Sequence, residues 1–188
     1  MNTEHYRMSQ GFAIEYGTIL GIAWLIAFGF VVGGMITGNL FYSMIGFGWI
    51  GLSVLIPFYL AWRFKQHLNE GERVSTFAAW IFAFLLFVYA CFFTAVGHLI
   101  YFTYIDGGRL LEAFQSLLSA PEVESQYTTI GAADMLETAR SQLQVIQGLT
   151  PMEISLALFE NNVFFSLLLT IPVAFIAHRK AVKVMMPK

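Results

Sequence analysis

The sequence predicts an all-α membrane protein: a four-helix transmembrane bundle in two hairpins, with an amphipathic two-helix extracytoplasmic segment between the third and fourth spans. Three observations predict it. Apolar residues make up 57% of the 188 residues and charged residues only 12%, against about a quarter charged in a typical soluble domain. Apolar stretches near 16–35, 40–62, 75–104 and 151–177 each reach or exceed the ~20 residues that cross a bilayer. Apart from Glu153 and Glu160 in the last, the charges lie between these stretches. Residues 1–188 therefore read as a single integral membrane domain.

The first stretch is read as a retained span. Early acids at Glu4 and Glu15, and the lack of an A-x-A type cleavage site, argue against a removed signal. Within it, Gly17 with Gly21 and Gly29 with Gly33 form small-x-x-x-small pairs, which let helix backbones approach closely in lipid. Tight packing on the second span is the favoured use of these pairs over a dimer interface. The short connection 36–39 makes the first two spans a hairpin. Gly46, Gly48 and Gly51 thin the middle of the second span, and Pro57 should kink it by removing a backbone donor.

The third span carries Cys91, Thr94, Ala95 and His98 on one helical face, a small polar stripe that belongs against other helices rather than lipid. Trp62 and Trp80 mark one membrane interface, Tyr101 and Tyr104 the other. In the segment 106–150, Leu110, Leu111, Phe114, Leu117 and Leu118 recur at helical spacing, as do Leu136, Ala139, Leu143 and Ile146. Both runs predict amphipathic helices too short or too polar to span. The polar stretch 122–129 between them is expected to be mobile. The fourth span opens on Thr150, Pro151 and Glu153, a capping box with proline at the first helical position.

Basic residues predict the orientation. Arg7, Arg63, Lys65, Arg73, Arg179, Lys180, Lys183 and Lys188 lie in the two tails and the 63–74 loop. The 106–150 segment holds only Arg109 and Arg140 beside several acids. Lys and Arg accumulate on the cytoplasmic side, so both termini are expected there. No basic cluster is dense enough to bind nucleic acid. The lone Cys91 forms no internal disulfide and reads as inert packing.

One acid stands well inside an apolar run: Glu160, followed by Asn161 and Asn162. A carboxylate there must be paired, protonated or wetted. His98 lies at a comparable depth on the third span, so a His98–Glu160 contact is allowed, with Arg109 bending in from the outer end. Such a pair would bind a proton, orient water or neutralise two buried groups. Against this, Ser155, Asn162, Ser166 and Thr170 form one stripe of the fourth span, from which Glu160 is rotated away. A snorkelling Glu160 and a hydrogen-bonded packing His98 are the structural alternatives. No CxxC, HExxH, phosphate loop or G-x-S-x-G is present. His98 and His178 belong to opposite membrane faces and His67 to a loop, an arrangement unsuited to bis-histidine haem. No metal and no cofactor is expected.

The opening E-Y-G-T-I-L-G-I, the loop R-F-K-Q-H-L-N-E-G-E-R-V-S-T-F, the helical segment after the third span and the tail H-R-K-A-V-K resemble a family of small four-span membrane proteins. That family is common in Bacteroidota and classed as a domain of unknown function. The resemblance covers nearly the whole chain in layout; it implies a bacterial inner-membrane location and supplies no catalytic residues. The expected function is a non-catalytic membrane subunit or scaffold, touching membrane lipid and a second copy or another membrane protein. The runner-up is a small transport or lipid-handling protein using Glu160 and His98. A membrane-embedded enzyme ranks third.

Overall fold

A computed structural model describes residues 3–66 and 75–178. These residues are 90% helical, without a strand among them, and four stretches are long and apolar enough to cross a membrane: Ser9–Thr37, Leu40–Gln66, Thr76–Ile105 and Pro151–His178. The chain is thus an all-α, multi-pass membrane protein.

Helix α1 (Thr3–Thr37) begins well before the expected start of the first span. Gly38, at φ +64°, turns the chain. The Asn39 side chain then accepts from the Phe41 amide to cap α2 (Leu40–Ser53). The second span is two helices rather than one bent helix. After α2 the chain passes through Val54 and Leu55 and resumes as α3 (Ile56–Gln66). Pro57 accounts for the break, since it has no N–H for the carbonyl four residues back.

Ser75 caps α4 (Thr76–Ile100) by accepting from the Ala78 amide. A π-helical turn, Tyr101–Ile105, extends that span. Outside it come α5 (Arg109–Leu118), α6 (Pro121–Thr129) and α7 (Ala133–Gln147). The stretch expected to be mobile is helix α6, with Pro121 at its first turn, so the segment has three helices, not two. The fourth span is α8 (Pro151–His178). Its capping box forms as expected: Glu153 Oε2 accepts from the Thr150 amide at 2.7 Å, and Thr150 Oγ1 accepts from the Glu153 amide at 3.3 Å.

Helix α4 is central, packed on α1 along one side and α8 along the other. Helix α3 closes the half of the bundle that holds the N-terminal part of α1 by touching both α8 and α1, whereas α2 rests on α1 with no comparable contact to α4 or α8. The main core therefore sits in that half. Phe64 stacks on Phe82 at 4.3 Å, Phe12 and Tyr16 of α1 meet Phe64 and Phe82 respectively edge-on, and they meet each other tilted. Leu20, Leu86, Val173 and Ala177 complete it. On the outer side, α5 lies against α1 and α7 lies on α5 and α6.

The glycines of α1 divide by partner. A Cβ on Gly17 would lie 2.6 Å from the Leu86 carbonyl oxygen, and one on Gly21 would lie 3.0 Å from that of Ala90. This pair thus packs on the third span, where the second was expected. The α1–α2 contact uses Gly34 against Ser43 and Gly46 against Val31. Gly29, Gly33, Gly48 and Gly51 have open space where a Cβ would be. Arg73, His67 and the basic tail from Arg179 lie outside the described residues.

Candidate functional site

The polar residues of the outer half start from α4. Its small polar stripe faces inward as the spacing predicts: Cys91, Thr94 and His98 are buried. Thr94 donates to the Ala90 carbonyl at 2.7 Å, and Cys91 Sγ lies 3.5 Å from Ser166 Oγ on α8. That stripe of α8 is likewise turned inward, with Ser155, Ser166 and Thr170 buried and Asn162 half-buried. Beside Cys91 and Ser166 is a cavity of about 10 Å³, roughly the space of a single water.

His98 is 4% exposed, its ring centroid 4.4 Å from that of Phe28 on α1. Its Nδ1 is buried without a hydrogen-bond partner. Imidazole nitrogens pay a desolvation cost when they lose water and gain no partner. Phe28 also meets Tyr101 at 5.3 Å, so the π-helical turn closes over the histidine.

Glu160 is elsewhere. The contact between Cys91 and Ser166 sets the register of antiparallel α4 and α8; counting six residues outward on each helix reaches Gly97 and Glu160. Glu160 is therefore level with the His98 turn, as depth counting predicts. Its direction differs: Glu160 and Asn161 are exposed, and no hydrogen bond or ion pair joins Glu160 to the described residues. The physical reason is the inward stripe itself. With Ser155, Ser166 and Thr170 all buried and Ser166 against Cys91 of α4, a helix of 100° per residue swings Glu160 to the outer surface. Glu160 and His98 do not form one buried site.

Arg109 also departs from expectation. It is exposed and folds back on its own turn, donating from Nε to the Asp106 carbonyl at 2.9 Å and from Nη2 to the Ile105 carbonyl. The buried carboxylate near this end is Asp106, 3% exposed. Its Oδ1 accepts from the Tyr101 hydroxyl at 2.7 Å and the Leu110 amide at 3.1 Å, and its Oδ2 from the Gly108 amide at 3.0 Å. Gly107 and Gly108, at φ +57° and +86°, bend the chain so that these amides converge. Asp106 joins the third span to α5. The legible signal was Asp-Gly-Gly ahead of an amphipathic run, a helix-start pattern.

In the outer segment, Arg140 of α7 donates to the Leu118 carbonyl from Nε at 3.1 Å and Nη2 at 2.8 Å, and also reaches Glu124 at 3.1 Å. Gln147 donates to Gln115 at 3.0 Å. Gln115, Leu118, Arg140 and Gln147 help line a cavity of about 130 Å³ between α5 and α7. Among the described residues no group of three or more His, Cys, Asp or Glu side chains is placed to hold a metal ion.

No curated protein and no solved structure matches the chain. Residues 15–179 match the family described as protein of unknown function, DUF4199. That match covers most of the 188 residues, and the chain belongs to the DUF4199 family.

Proposed function

We propose that this protein is a non-catalytic subunit or scaffold of the bacterial inner membrane, with both termini cytoplasmic and α5–α7 outside. The distribution of Lys and Arg supports the orientation, and the Bacteroidota family it resembles supports the membrane. The observation that carries the role is the direction of Glu160. The only acid deep in an apolar run points away from the chain's own interior, level with but apart from His98. A polar group aimed outward at that depth serves contact with something beside the chain, whereas a site within one chain needs it aimed inward.

Native mass spectrometry of gently solubilised protein tests this. A protein subunit retained by wild type, and by Glu160→Gln at the same or reduced level, is the expected result. A lipid or small solute that co-purifies and is lost in Glu160→Gln would instead establish the second reading, transport or lipid handling. That reading has its own observation, the unpartnered Nδ1 of His98. His98→Leu separates the two. A scaffold keeps or gains stability on losing an unsatisfied buried nitrogen, whereas a ligand site loses its ligand.

A further inference from the structure

We infer that α8 pairs with α8 of a second copy of this chain, in a parallel dimer registered by Asn161. The inference deepens the subunit reading and rests on it. On the side of α8 away from α4, Ala157, Asn161, Phe164, Leu168, Ile171 and Phe175 recur at alternating steps of four and three. This is a repeat of 3.5 residues, the period that keeps one helical seam against a partner in a left-handed pair. The four large apolar members are between 57% and 70% exposed.

Lipid chains cover such an apolar stripe as well as a protein does, so the stripe alone names no occupant. Asn161 does. Its amide carries two donors and a carbonyl acceptor, is exposed, and makes no hydrogen bond with the described residues. Hydrocarbon offers it nothing. All copies of one membrane protein share an orientation, so a two-fold axis along the bilayer normal brings Asn161 opposite its own counterpart at equal depth. An amide is its own complement, N–H to C=O in both directions. Any other protein would need a polar group at matching depth and rotation; a second copy supplies it by symmetry. Glu160 sits about 60° to the side of this seam at 100° per residue, where it flanks the amide pair. A single asparagine in an apolar seam sets register and stoichiometry in this way.

Disulfide crosslinking of the full chain in native membranes tests the pairing. In a Cys91→Ala background, Ala157→Cys, Phe164→Cys and Leu168→Cys should give crosslinked dimer. Leu156→Cys, Leu167→Cys and Phe47→Cys, equally exposed but off the seam, should not. Asn161→Leu should weaken association by about 3- to 30-fold, the range of interhelical hydrogen bonds in membranes, and Asn161→Gln should restore much of it. Uniform crosslinking, or a dimer indifferent to Asn161→Leu, would overturn the inference. A monomer that still retains a different membrane protein would overturn it while leaving the subunit reading intact. A chain with no protein neighbour at all would overturn both.

Discussion

Gly17 and Gly29 have the same side chain, lie on the same helix and belong to the same kind of sequence pair, yet only one is under steric load. A methyl group on Gly17 runs into the Leu86 carbonyl oxygen, a backbone atom that cannot swing aside; one on Gly29 meets nothing within 4 Å. Gly17→Ala should therefore destabilise the protein by about 1–3 kcal/mol through forced separation of α1 and α4. Gly29→Ala should stay within about 0.5 kcal/mol of wild type. Unfolding in graded SDS and mild detergent mixtures reads both. Asp106 is a second residue whose role depends on its surroundings. Removing its carboxylate strands the Tyr101 hydroxyl and two amides, so Asp106→Ala should cost at least the ~1–3 kcal/mol of one unsatisfied buried group. Tyr101→Phe, which leaves both amides bonded, should cost about 1 kcal/mol. Amide exchange at Gly108 and Leu110 should accelerate in the first variant and change little in the second.

Among the elements, the second span and the outer segment respond to different forces. Pro57 separates α2 from α3, and the consequence is a division of labour: α3 closes the inner core while α2 leans on α1. The outer segment is tied by one guanidinium. Arg140 satisfies the Leu118 carbonyl at the end of α5, the kind of orphan acceptor every helix C-terminus leaves. Because the side chain is partly exposed, its removal should cost only about 1 kcal/mol, with α5 and α6 loosening relative to α7. Arg140→Lys should fail to restore the lost protection, since a point ammonium cannot present two parallel N–H groups to one carbonyl. Glu124→Gln should be nearly silent, because Glu124 is mostly exposed and its pair is a surface one. Hydrogen exchange of α5 in detergent distinguishes the three variants.

For the whole molecule, four crossings would put the start of α1 and the end of α8 on one side and α5–α7 on the other. Under the proposed orientation, a membrane-impermeant thiol reagent applied to intact cells should label Gln144→Cys in α7 and leave Gln66→Cys at the end of α3 unlabelled. The native Cys91 is buried and should stay silent in both. Reversed labelling would invert the orientation without disturbing the bundle, because the packing of α1, α4 and α8 is indifferent to which side is which.

Several features could be read from the linear pattern because each is local to one segment. The four apolar stretches, the capping box of Thr150 and Glu153, the break at Pro57 and the shared face of Cys91, Thr94 and His98 all depend on neighbours within about one or two turns. A 3.6-residue period fixes the angles between residues on one helix. It does not fix how that helix is rotated toward its neighbours, and there the linear reading stopped. Hence the depth of Glu160 followed from counting, while its outward direction came only from the docking of Ser166 and Thr170 against α4. Gly17 and Gly21 were recognisable as a close-packing pair, yet only the fold chose α4 over α2 as their partner. The burial of Asp106 was not written locally, because the turn that buries it is made by Tyr101 and two left-handed glycines acting together. Lengths and local bonds are written along the chain; rotation, register and choice of neighbour are properties of helices meeting in space.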